Sequence, residues 1–230
     1  TFEKEKQFNQ NVSHELRTPL SVIVSESEFG SKYADNLEET KESLTVIHRQ
    51  AKLMKSMTEQ ILEISKAQHL QWSDLKPICL STLVANYCQG QERKWAESPI
   101  AFEVSIQPDL WIQGDAVLVT RILDNLLSNA VKFTKTKVVI RLEASPAGAV
   151  LKVADDGIGI APDHLSKIWD RFYQVEDSRN KGLNSGIGLG LSFIKDIADL
   201  HRAEVKIISE EGRGSLFRVT FPQIKDKTTV

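Results

Sequence analysis

Residues 13–20, SHELRTPL, place three side chains with acid–base chemistry within four positions of the chain. His14, Glu15 and Arg17 supply an imidazole, a carboxylate and a guanidinium. An unperturbed histidine titrates near a pKa of about 6.5, so a neutral His14 nitrogen is available as a nucleophile near neutral pH. Glu15 can act as a general base toward the other proton of the ring. Pro19 removes a backbone donor, so the helix that carries His14 is expected to bend.

A second polar segment, DNLLSNAVKFT at residues 124–134, favours a cation and a phosphate. Asn125 and Asn129 are four residues apart and share a helix face, and Lys132 lies one turn further on. Amide oxygens suit a hard cation such as Mg²⁺, and a lysine ammonium suits a phosphate. A solvated helix face is the alternative. It is less favoured because leucines in the same segment already supply a buried face.

Seven of the twelve glycines fall in three clusters: DDGIGI at 155–160, SGIGLGL at 185–191 and EGRGS at 211–215. Glycine lets backbone N–H groups approach a phosphate, and the helical stretch after Leu189 would add the dipole of its N-terminus. A tight turn is the alternative for each cluster taken alone. GIGLGL follows a polar loop and not a strand, so the dinucleotide-binding pattern lacks its context, and no P-loop pattern is present.

Composition limits the possible partners. The chain has 230 residues, 41% of them hydrophobic and 26% charged, which fits one large or two small globular domains. Its formal net charge of −2 predicts no attraction to nucleic acid. No apolar run of about 18 residues occurs, so no membrane contact is expected in these residues. Cys79 and Cys88 fit neither a disulfide framework nor a zinc site, which favours a reducing cytosol.

The elements that must position the histidine are helical. From residue 1 to about 71 the apolar spacing is helical throughout, and turn-forming composition at residues 30–36 divides it into a hairpin. In the second helix, residues at spacings of three, four or seven form a heptad seam: Leu37, Leu44, Ile47, Ala51, Met54, Thr58 and Ile61. A hairpin cannot cover both its faces, so two copies are expected to pair as a dimeric four-helix bundle.

The pattern changes at residues 71–77, QWSDLKP, where Pro77 is incompatible with a continuing helix. Alternation then predicts strands at 100–106, 138–142, 205–207 and 217–221, with helical stretches at about 82–97, 116–133 and 189–201. This mixture predicts an α+β fold with a two-layer α/β sandwich. We therefore predict one domain at 1–74 and a second at 75–230, with a functional loop at 170–187.

Six segments together resemble the catalytic core of a sensor histidine kinase, in the order that the family has them. They are FNQNVSHELRTPL (8–20), NLLSNAVKFT (125–134), DDGIGI (155–160), IWDRFYQ (168–174), GIGLGL (186–191) and EGRGSLF (211–217). The second domain then resembles the ATP-binding domain shared with DNA gyrase, heat-shock chaperones and mismatch-repair ATPases. Two positions depart from the family pattern. Trp169 stands where phenylalanine is common, and Ile187 stands where threonine is frequent, which removes a hydroxyl near the phosphates.

The resemblance implies a role for each matching residue. His14, Glu15 and Thr18 would be catalytic, with Thr18 serving removal of phosphate from the regulator. Asp155 would bind the adenine amino group, Asn129 would hold Mg²⁺, and Lys132 would hold the phosphates. Phe133 would flank the base and Arg171 would reach the γ-phosphate. The remaining ATP-binding positions would be Asn125, Gly157, Gly159, Phe172, Gly186, Gly188, Gly190 and Leu191.

The implied function is ATP-dependent phosphorylation of His14, followed by transfer to an aspartate of a response-regulator receiver domain. The related ATPases have a glutamate at the position of Asn125 to activate water, and an amide cannot act as that base. A plain ATPase of this fold or a scaffold that only binds ATP is the alternative. A serine kinase of this fold would lack the helical hairpin. The resemblance also implies a homodimer and a cytoplasmic location, as part of a larger sensor that could be anchored in a membrane.

Overall fold

The computed structural model describes residues 2–175 and 188–224. The chain divides into two compact units, residues 1–66 and residues 67–230. The predicted division into domains at 74/75 stays a prediction. Among the described helices, none is both long enough and apolar enough to cross a membrane.

The first unit is a helical hairpin, as predicted. Helix α1 spans Phe2–Lys32 and α2 spans Leu37–His69, so the end of α2 lies beyond the boundary of the unit. Asn36 caps the start of α2, because its side-chain oxygen accepts a hydrogen bond from the Glu39 N–H at 3.0 Å. The Glu39 carboxylate in turn accepts from the Asn36 side-chain amide at 2.9 Å. These contacts fix the turn between the helices.

The predicted turn at residues 30–36 is too long, because α1 continues through Gly30 to Lys32. Gly30 serves the packing of the two helices. A Cβ atom added there would lie only 3.3 Å from Cβ of Ser43, which is buried. The glycine therefore allows a close approach of α1 and α2, and local composition alone does not distinguish this role from a turn.

The heptad seam of α2 is divided between two faces. Ile47, Met54 and Ile61 of the seam are partly buried, and Met57 and Ile64 next to them are buried. Leu37, Leu44, Ala51 and Thr58 follow one another at intervals of seven residues and are all exposed. On α1, Leu20 and Val24 are exposed by about half. The hairpin thus buries one apolar face and leaves a second one open.

After the end of α2, the second unit has a short 3₁₀ turn at Trp72–Asp74, followed by seven strands and four helices among the described residues. In chain order these are β1 (Lys76–Cys79), α3 (Leu80–Ala96), β2 (Ala101–Ile106), β3 (Trp111–Gly114), α4 (Ala116–Phe133), β4 (Lys137–Ser145), β5 (Gly148–Asp155), α5 (Pro162–Leu165), α6 (Gly190–Leu200), β6 (Glu204–Glu210) and β7 (Gly214–Phe221). Residues 176–187 of the predicted loop lie outside the described residues.

The main sheet has five strands in the order β2–β4–β5–β7–β6, and β1 pairs with β3 in a separate two-stranded sheet. β2 and β4 are parallel, and the other pairs of the main sheet are antiparallel. α3, α4 and α6 pack on one face, where Ile140, Leu151 and Val219 are fully or almost fully buried. The two-layer α+β sandwich is therefore confirmed.

His201, directly after α6, helps to fix the start of α4. Its side chain is fully buried. Nδ1 donates to the Ile197 carbonyl at 2.8 Å and Nε2 accepts from the Asp115 N–H at 3.0 Å, an arrangement that requires the neutral ring. Burial lowers the pKa of His201 accordingly. The Asp115 carboxylate then caps α4 by accepting from the N–H groups of Val117 and Leu118.

Candidate nucleotide and phosphoacceptor sites

Helix α4 carries the two asparagines and the lysine along one side. It buries its leucines against the sheet, while Asn125, Asn129 and Lys132 are only partly buried. The Asn125 Nδ2 donates to the Arg121 carbonyl at 2.9 Å, and its Oδ1 lies 2.6 Å from where a Cβ of Gly190 would be. Asn125 therefore contacts Gly190, the first residue of α6, so α4 lies against the described end of the GIGLGL segment.

Lys132 lies at the end of this surface beside Phe133. Its ammonium stands over the Phe133 ring, 4.7 Å from the centroid. Burial lowers the pKa of Lys132 from its ordinary value. A partly desolvated cation interacts more strongly with an anion than a fully hydrated one, which suits the predicted phosphate contact.

The carboxyl end of α4 meets the DDGIGI segment at Gly157. A Cβ atom at this position would lie 2.1 Å from the Phe133 carbonyl oxygen and 2.6 Å from the Asp155 Oδ1. The Gly157 N–H also donates to that Asp155 oxygen at 2.9 Å. Gly157 therefore brings Phe133 and Asp155 together, although they are 22 residues apart in the chain.

Asp155 is the last residue of β5, and its side chain is half-buried on the helical side of the sheet. Burial raises its pKa, the backbone N–H groups of Gly157 and Ser215 oppose that rise, and the negative charge of Asp156 adds to it. Oδ1 accepts from the Gly157 N–H at 2.9 Å, and we take Oδ2 as the oxygen that a ligand's N–H group would meet.

The sequence reasoning missed Asp156, which organises the loop between α4 and β4. Its Oδ1 accepts from the Thr134 hydroxyl at 2.6 Å and from the N–H groups of Lys135, Thr136 and Lys137 at 3.0–3.1 Å. The Thr136 hydroxyl donates to its Oδ2. Although burial opposes the charge, these hydrogen bonds hold the pKa of Asp156 well below its usual range. The second aspartate of DDGIGI was the only sequence signal, and nothing local indicated its partners.

Three glycines of the clusters have positive φ angles and backbone contacts too close for a side chain. An added Cβ would lie 2.0 Å from the Glu210 carbonyl oxygen at Gly159, and 2.0 Å from the Asp155 carbonyl oxygen at Gly214. At Gly188 it would lie 2.6 Å from the Phe172 carbonyl carbon. These close backbone contacts are enough to explain why glycine occupies the three positions. The ATP contacts of Gly159 and Gly188 therefore stay predictions. Gly186 lies outside the described residues.

The remaining residues predicted to bind ATP lie on α6 or next to it. The Arg171 guanidinium donates to the Asp196 carboxylate of α6 at 2.8 Å, so its predicted reach to a γ-phosphate would require a change of partner. Phe172 is half-buried with a φ of 66°, and its N–H donates to the Gly188 carbonyl at 2.8 Å. Leu191 is partly buried in the first turn of α6.

The phosphoacceptor box lies within α1. His14 and Thr18 are exposed, and Glu15 is partly buried beside them. The Thr18 hydroxyl donates to the His14 carbonyl at 3.4 Å, a weak bond of the kind that threonine makes in helices. Pro19 lies inside α1, and the residues before and after it are helical. The predicted bend stays a prediction.

Two family models match the chain where these two sites lie. Residues 4–70 match the His Kinase A (phospho-acceptor) domain, and residues 114–225 match the histidine kinase-, DNA gyrase B- and HSP90-like ATPase. The chain belongs to the histidine kinase family. The family resemblance read from the six segments is thereby confirmed.

Curated relatives extend this histidine kinase assignment over almost the whole chain. Sensor histidine kinase YkoH of Bacillus subtilis is 32% identical over 96% of this chain and 48% of its own. Phosphate regulon sensor protein PhoR of Pseudomonas aeruginosa is 34% identical over 94% of this chain and 49% of its own. The chain therefore spans about half the length of these relatives.

Two solved structures share the fold. Histidine kinase ThkA, solved in complex with response regulator protein TrrA, has a TM-score of 0.74 at 22% identity over 96% of this chain and 62% of its own. Full-length ShkA in complex with AMPPNP has a TM-score of 0.66 at 23% identity over 96% of this chain and 46% of its own. At these identities the likeness is one of fold.

Gly157→Ala is expected to weaken ATP binding by about tenfold or more, since overpacking typically costs about 1–3 kcal/mol. The added methyl group would collide with the Phe133 carbonyl and the Asp155 carboxylate. Isothermal titration with ATP measures the change. Gly90→Ala in α3 is the matched control, because nothing lies within 4 Å of its Cβ position. Equal ATP affinity in the two variants would show that the contact at Gly157 does not shape the nucleotide site.

Proposed function

We propose that this chain is the ATP-dependent protein-histidine kinase core of a sensor, with His14 as phosphoacceptor. The observation that carries the proposal is the pairing of two features in one chain. An exposed histidine with a neighbouring carboxylate lies on α1, and a separate unit packs Gly190 against Asn125 and Gly157 against Phe133 and Asp155. A plain ATPase needs only the second feature.

In this proposal the second unit binds ATP through residues that the fold brings together. The free carboxylate oxygen of Asp155 accepts a hydrogen bond from the adenine amino group, which favours adenine over guanine. The Phe133 ring flanks the base. The Lys132 ammonium, already partly desolvated, attracts the phosphates. Phe172, Leu191 and the glycines of the clusters form the remaining wall, and Arg171 reaches the γ-phosphate after leaving Asp196.

Mg²⁺ would be held chiefly by Asn129 together with the phosphates of the nucleotide. Asn129 is half-buried, and its amide has no hydrogen-bond partner among residues 2–175 and 188–224. The described residues contain no group of three or more histidine, cysteine, aspartate or glutamate side chains suited to a metal. An amide oxygen fits a hard cation that keeps most of its ligands from water and phosphate. The bound cation would neutralise charge on the phosphates.

The chemical step is transfer of the γ-phosphoryl group to a ring nitrogen of His14. The lone pair of the neutral nitrogen forms a P–N bond while the bond between the γ-phosphorus and the bridging oxygen breaks, and ADP leaves with that electron pair. Glu15 accepts the proton from the other ring nitrogen, so the phosphorylated ring ends neutral. Exposure of His14 is compatible with its approach by a second reactant.

Asn125 favours this histidine kinase reaction over ATP hydrolysis. Its side-chain N–H group donates to the Arg121 carbonyl, and an amide has no basic group that could deprotonate water. Attack by water on the γ-phosphate is then slow, which preserves ATP for His14.

The experiment that tests the proposal incubates the chain with γ-labelled ATP and compares acid and alkaline treatment of the labelled protein. Acid-labile label supports a phosphohistidine, whereas acid-stable label or free phosphate alone contradicts it.

We further propose that two copies pair through the open apolar face of the hairpin. Leu37 and Leu44 on α2 and Leu20 on α1 are 71%, 59% and 49% exposed in one chain. Burial of such side chains contributes roughly 1.5–3 kcal/mol each, and a twofold interface counts each of them twice. Pairing of two hairpins would complete a four-helix bundle.

Leu44→Glu is therefore expected to weaken the dimer by at least about 100-fold, because each dimer loses two buried leucines and gains two carboxylates in an apolar interface. Sedimentation equilibrium at micromolar concentration measures the change. Thr45→Glu, at the next position of α2, places the same carboxylate off the heptad seam and should leave the dimer intact. A parent chain that sediments as a monomer would contradict the proposed bundle.

The proposed acceptor of the phosphoryl group is an aspartate on a response-regulator receiver domain. Thr18 lies four residues after His14, so both side chains share one helix face. When a phosphoaspartate lies at this face, the Thr18 hydroxyl can orient the water that hydrolyses it. The bond from this hydroxyl to the His14 carbonyl, at 3.4 Å, is weak enough to be exchanged.

Thr18→Ala is expected to keep histidine phosphorylation near its starting rate and to slow dephosphorylation of the regulator by about tenfold or more, the effect of one hydrogen bond to a charged group. Thr18→Ser retains the hydroxyl and is the matched control. The paired assay follows label entering the kinase and label leaving the purified phospho-regulator. Equal dephosphorylation by the alanine variant would show that Thr18 has no such role, and loss of both activities would show that it is structural.

A further inference from the structure

A row of four basic side chains crosses the main sheet. The strand register places Arg141 of β4 opposite Lys152 of β5, Lys152 opposite Arg218 of β7, and Arg218 opposite Lys206 of β6. Neighbouring strands are about 4.8 Å apart, so this basic row extends over roughly 14 Å. Like charges directly opposite each other destabilise a sheet, and four in succession on adjacent strands require an explanation.

The basic row lies on the face of the sheet away from α3, α4 and α6. On each strand the flanking residues point toward those helices, and Ile140, Leu142 and Val219 are at most 1% exposed. Side chains alternate between faces along a strand, so Arg141 and Arg218 point to the opposite face. Arg141 and Lys206 are exposed, and Lys152 and Arg218 are partly exposed.

Only half of the basic row is neutralised within the unit. Lys152 pairs with Glu143 and Lys206 pairs with Glu204, each at 2.6 Å. The pKa of Glu143 is lowered first by its bond to Lys152 and further by the charges of Lys152 and Arg141, so this carboxylate serves both cations. Neither Arg141 nor Arg218 has an ion pair within 4 Å in the described part of the chain. Two positive charges thus remain in excess, in a chain of formal net charge −2.

An apolar row runs beside the basic row on the same face. The register aligns Val139, Ala154, Leu216 and Ile208 across the same four strands. Ile208 is 69% exposed, although it belongs to a strand of this well-formed sheet. Successive rows on one face are about 7 Å apart. The open face therefore combines a strip of excess positive charge with a parallel apolar strip.

We propose that this face binds an acidic amphipathic helix of a partner protein, with carboxylates on the basic row and apolar side chains on the apolar row. Residues three and four apart on a helix are about 5–6 Å from each other, close to the spacing between strands. About nine helical residues span the row. Nucleic acid would match the charges but not the apolar strip. The proposal is independent of the nucleotide chemistry of the other face.

The test is fluorescence anisotropy of the whole 230-residue chain with a labelled helical peptide of roughly 18 residues, with glutamates on one stripe and leucines on the next. The parent chain is expected to bind in the micromolar range, with affinity falling as salt rises. Arg141→Glu/Arg218→Glu should weaken binding by about tenfold or more. The matched control, Arg93→Glu/Lys94→Glu, makes the same charge change on exposed residues of α3 and should bind within about twofold of the parent.

Equal binding by the two double variants would overturn the proposal, and so would equal binding of a peptide with scrambled stripes. Binding of phosphatidylserine vesicles or duplex DNA without binding of the peptide would overturn it in favour of those partners. If the charge reversal prevents folding, Arg141→Gln/Arg218→Gln removes only the positive charges. It is expected to lower affinity about threefold or more, and unchanged affinity in that variant would also contradict the proposal.

Discussion

Replacing His14 with glutamine is expected to reduce incorporation of acid-labile phosphate to background, a loss of at least about 1000-fold, because the variant has no nucleophilic nitrogen. ATP affinity should be unchanged, since the residues proposed to bind ATP all belong to the other compact unit. Label incorporation from γ-labelled ATP and isothermal titration with ATP measure the two quantities separately.

His48→Gln is the matched control for this experiment. His48 is exposed on α2, so the control makes the same substitution at a second surface histidine of the hairpin. It should be phosphorylated at the parent rate. If the His14 variant still acquires acid-labile label, another histidine is the acceptor. If the His48 variant loses label and the His14 variant does not, the acceptor lies on α2.

Asp155→Asn is expected to weaken ATP binding by about 10- to 100-fold, since a hydrogen bond to a charged group contributes roughly 1.5–3 kcal/mol. The geometry explains why an amide is a poor substitute. The Asp155 Oδ1 accepts from the Gly157 N–H at 2.9 Å, so an asparagine must keep its oxygen there. Its NH₂ group then takes the place of Oδ2, and a donor faces the adenine amino group. Isothermal titration measures the affinity.

The same contact predicts a pH dependence. Burial raises the pKa of Asp155 above its ordinary value, and protonation turns one of the two acceptor oxygens into an O–H donor. The advantage of the parent over Asp155→Asn is therefore full at neutral pH and is lost as pH falls through that raised pKa. Asp199→Asn, an exposed aspartate of α6, should bind ATP like the parent at every pH. A constant ratio between parent and Asp155→Asn from neutral to acid pH would contradict the adenine contact.

The hairpin, four of the five strands of the main sheet and the chemical segments could be predicted from local sequence. The helical spacing around His14 and the heptad seam of α2 are set by neighbours within two turns, so periodicity suffices to find them. Alternation likewise found β2, β4, β6 and β7. It did not find β5, because Ala149–Val153 is apolar on both faces apart from Lys152, and a central strand lacks the polar half of the pattern.

The sequence by itself also determined which residue types the nucleotide site would contain, but not how they meet. Gly30 looks like a turn residue in local composition, and only the approach of Ser43 from the next helix explains it. Asp156 looks like a copy of Asp155, and only the loop after α4 shows why it accepts five hydrogen bonds. In both positions the deciding partner lies more than ten residues away in the chain.

The basic row shows the same limit most clearly. Arg141, Lys152, Lys206 and Arg218 are scattered over 78 positions of the sequence, and no local pattern connects them. They become neighbours only because the strand order is β2–β4–β5–β7–β6 and because the register places each of them directly opposite the next on the adjacent strand. Strand order and register depend on the burial of the whole sheet under three helices, since a slip of one residue would turn every side chain to the other face. Local sequence determined the chemistry of this chain, and the packed sheet decided which charges share a surface.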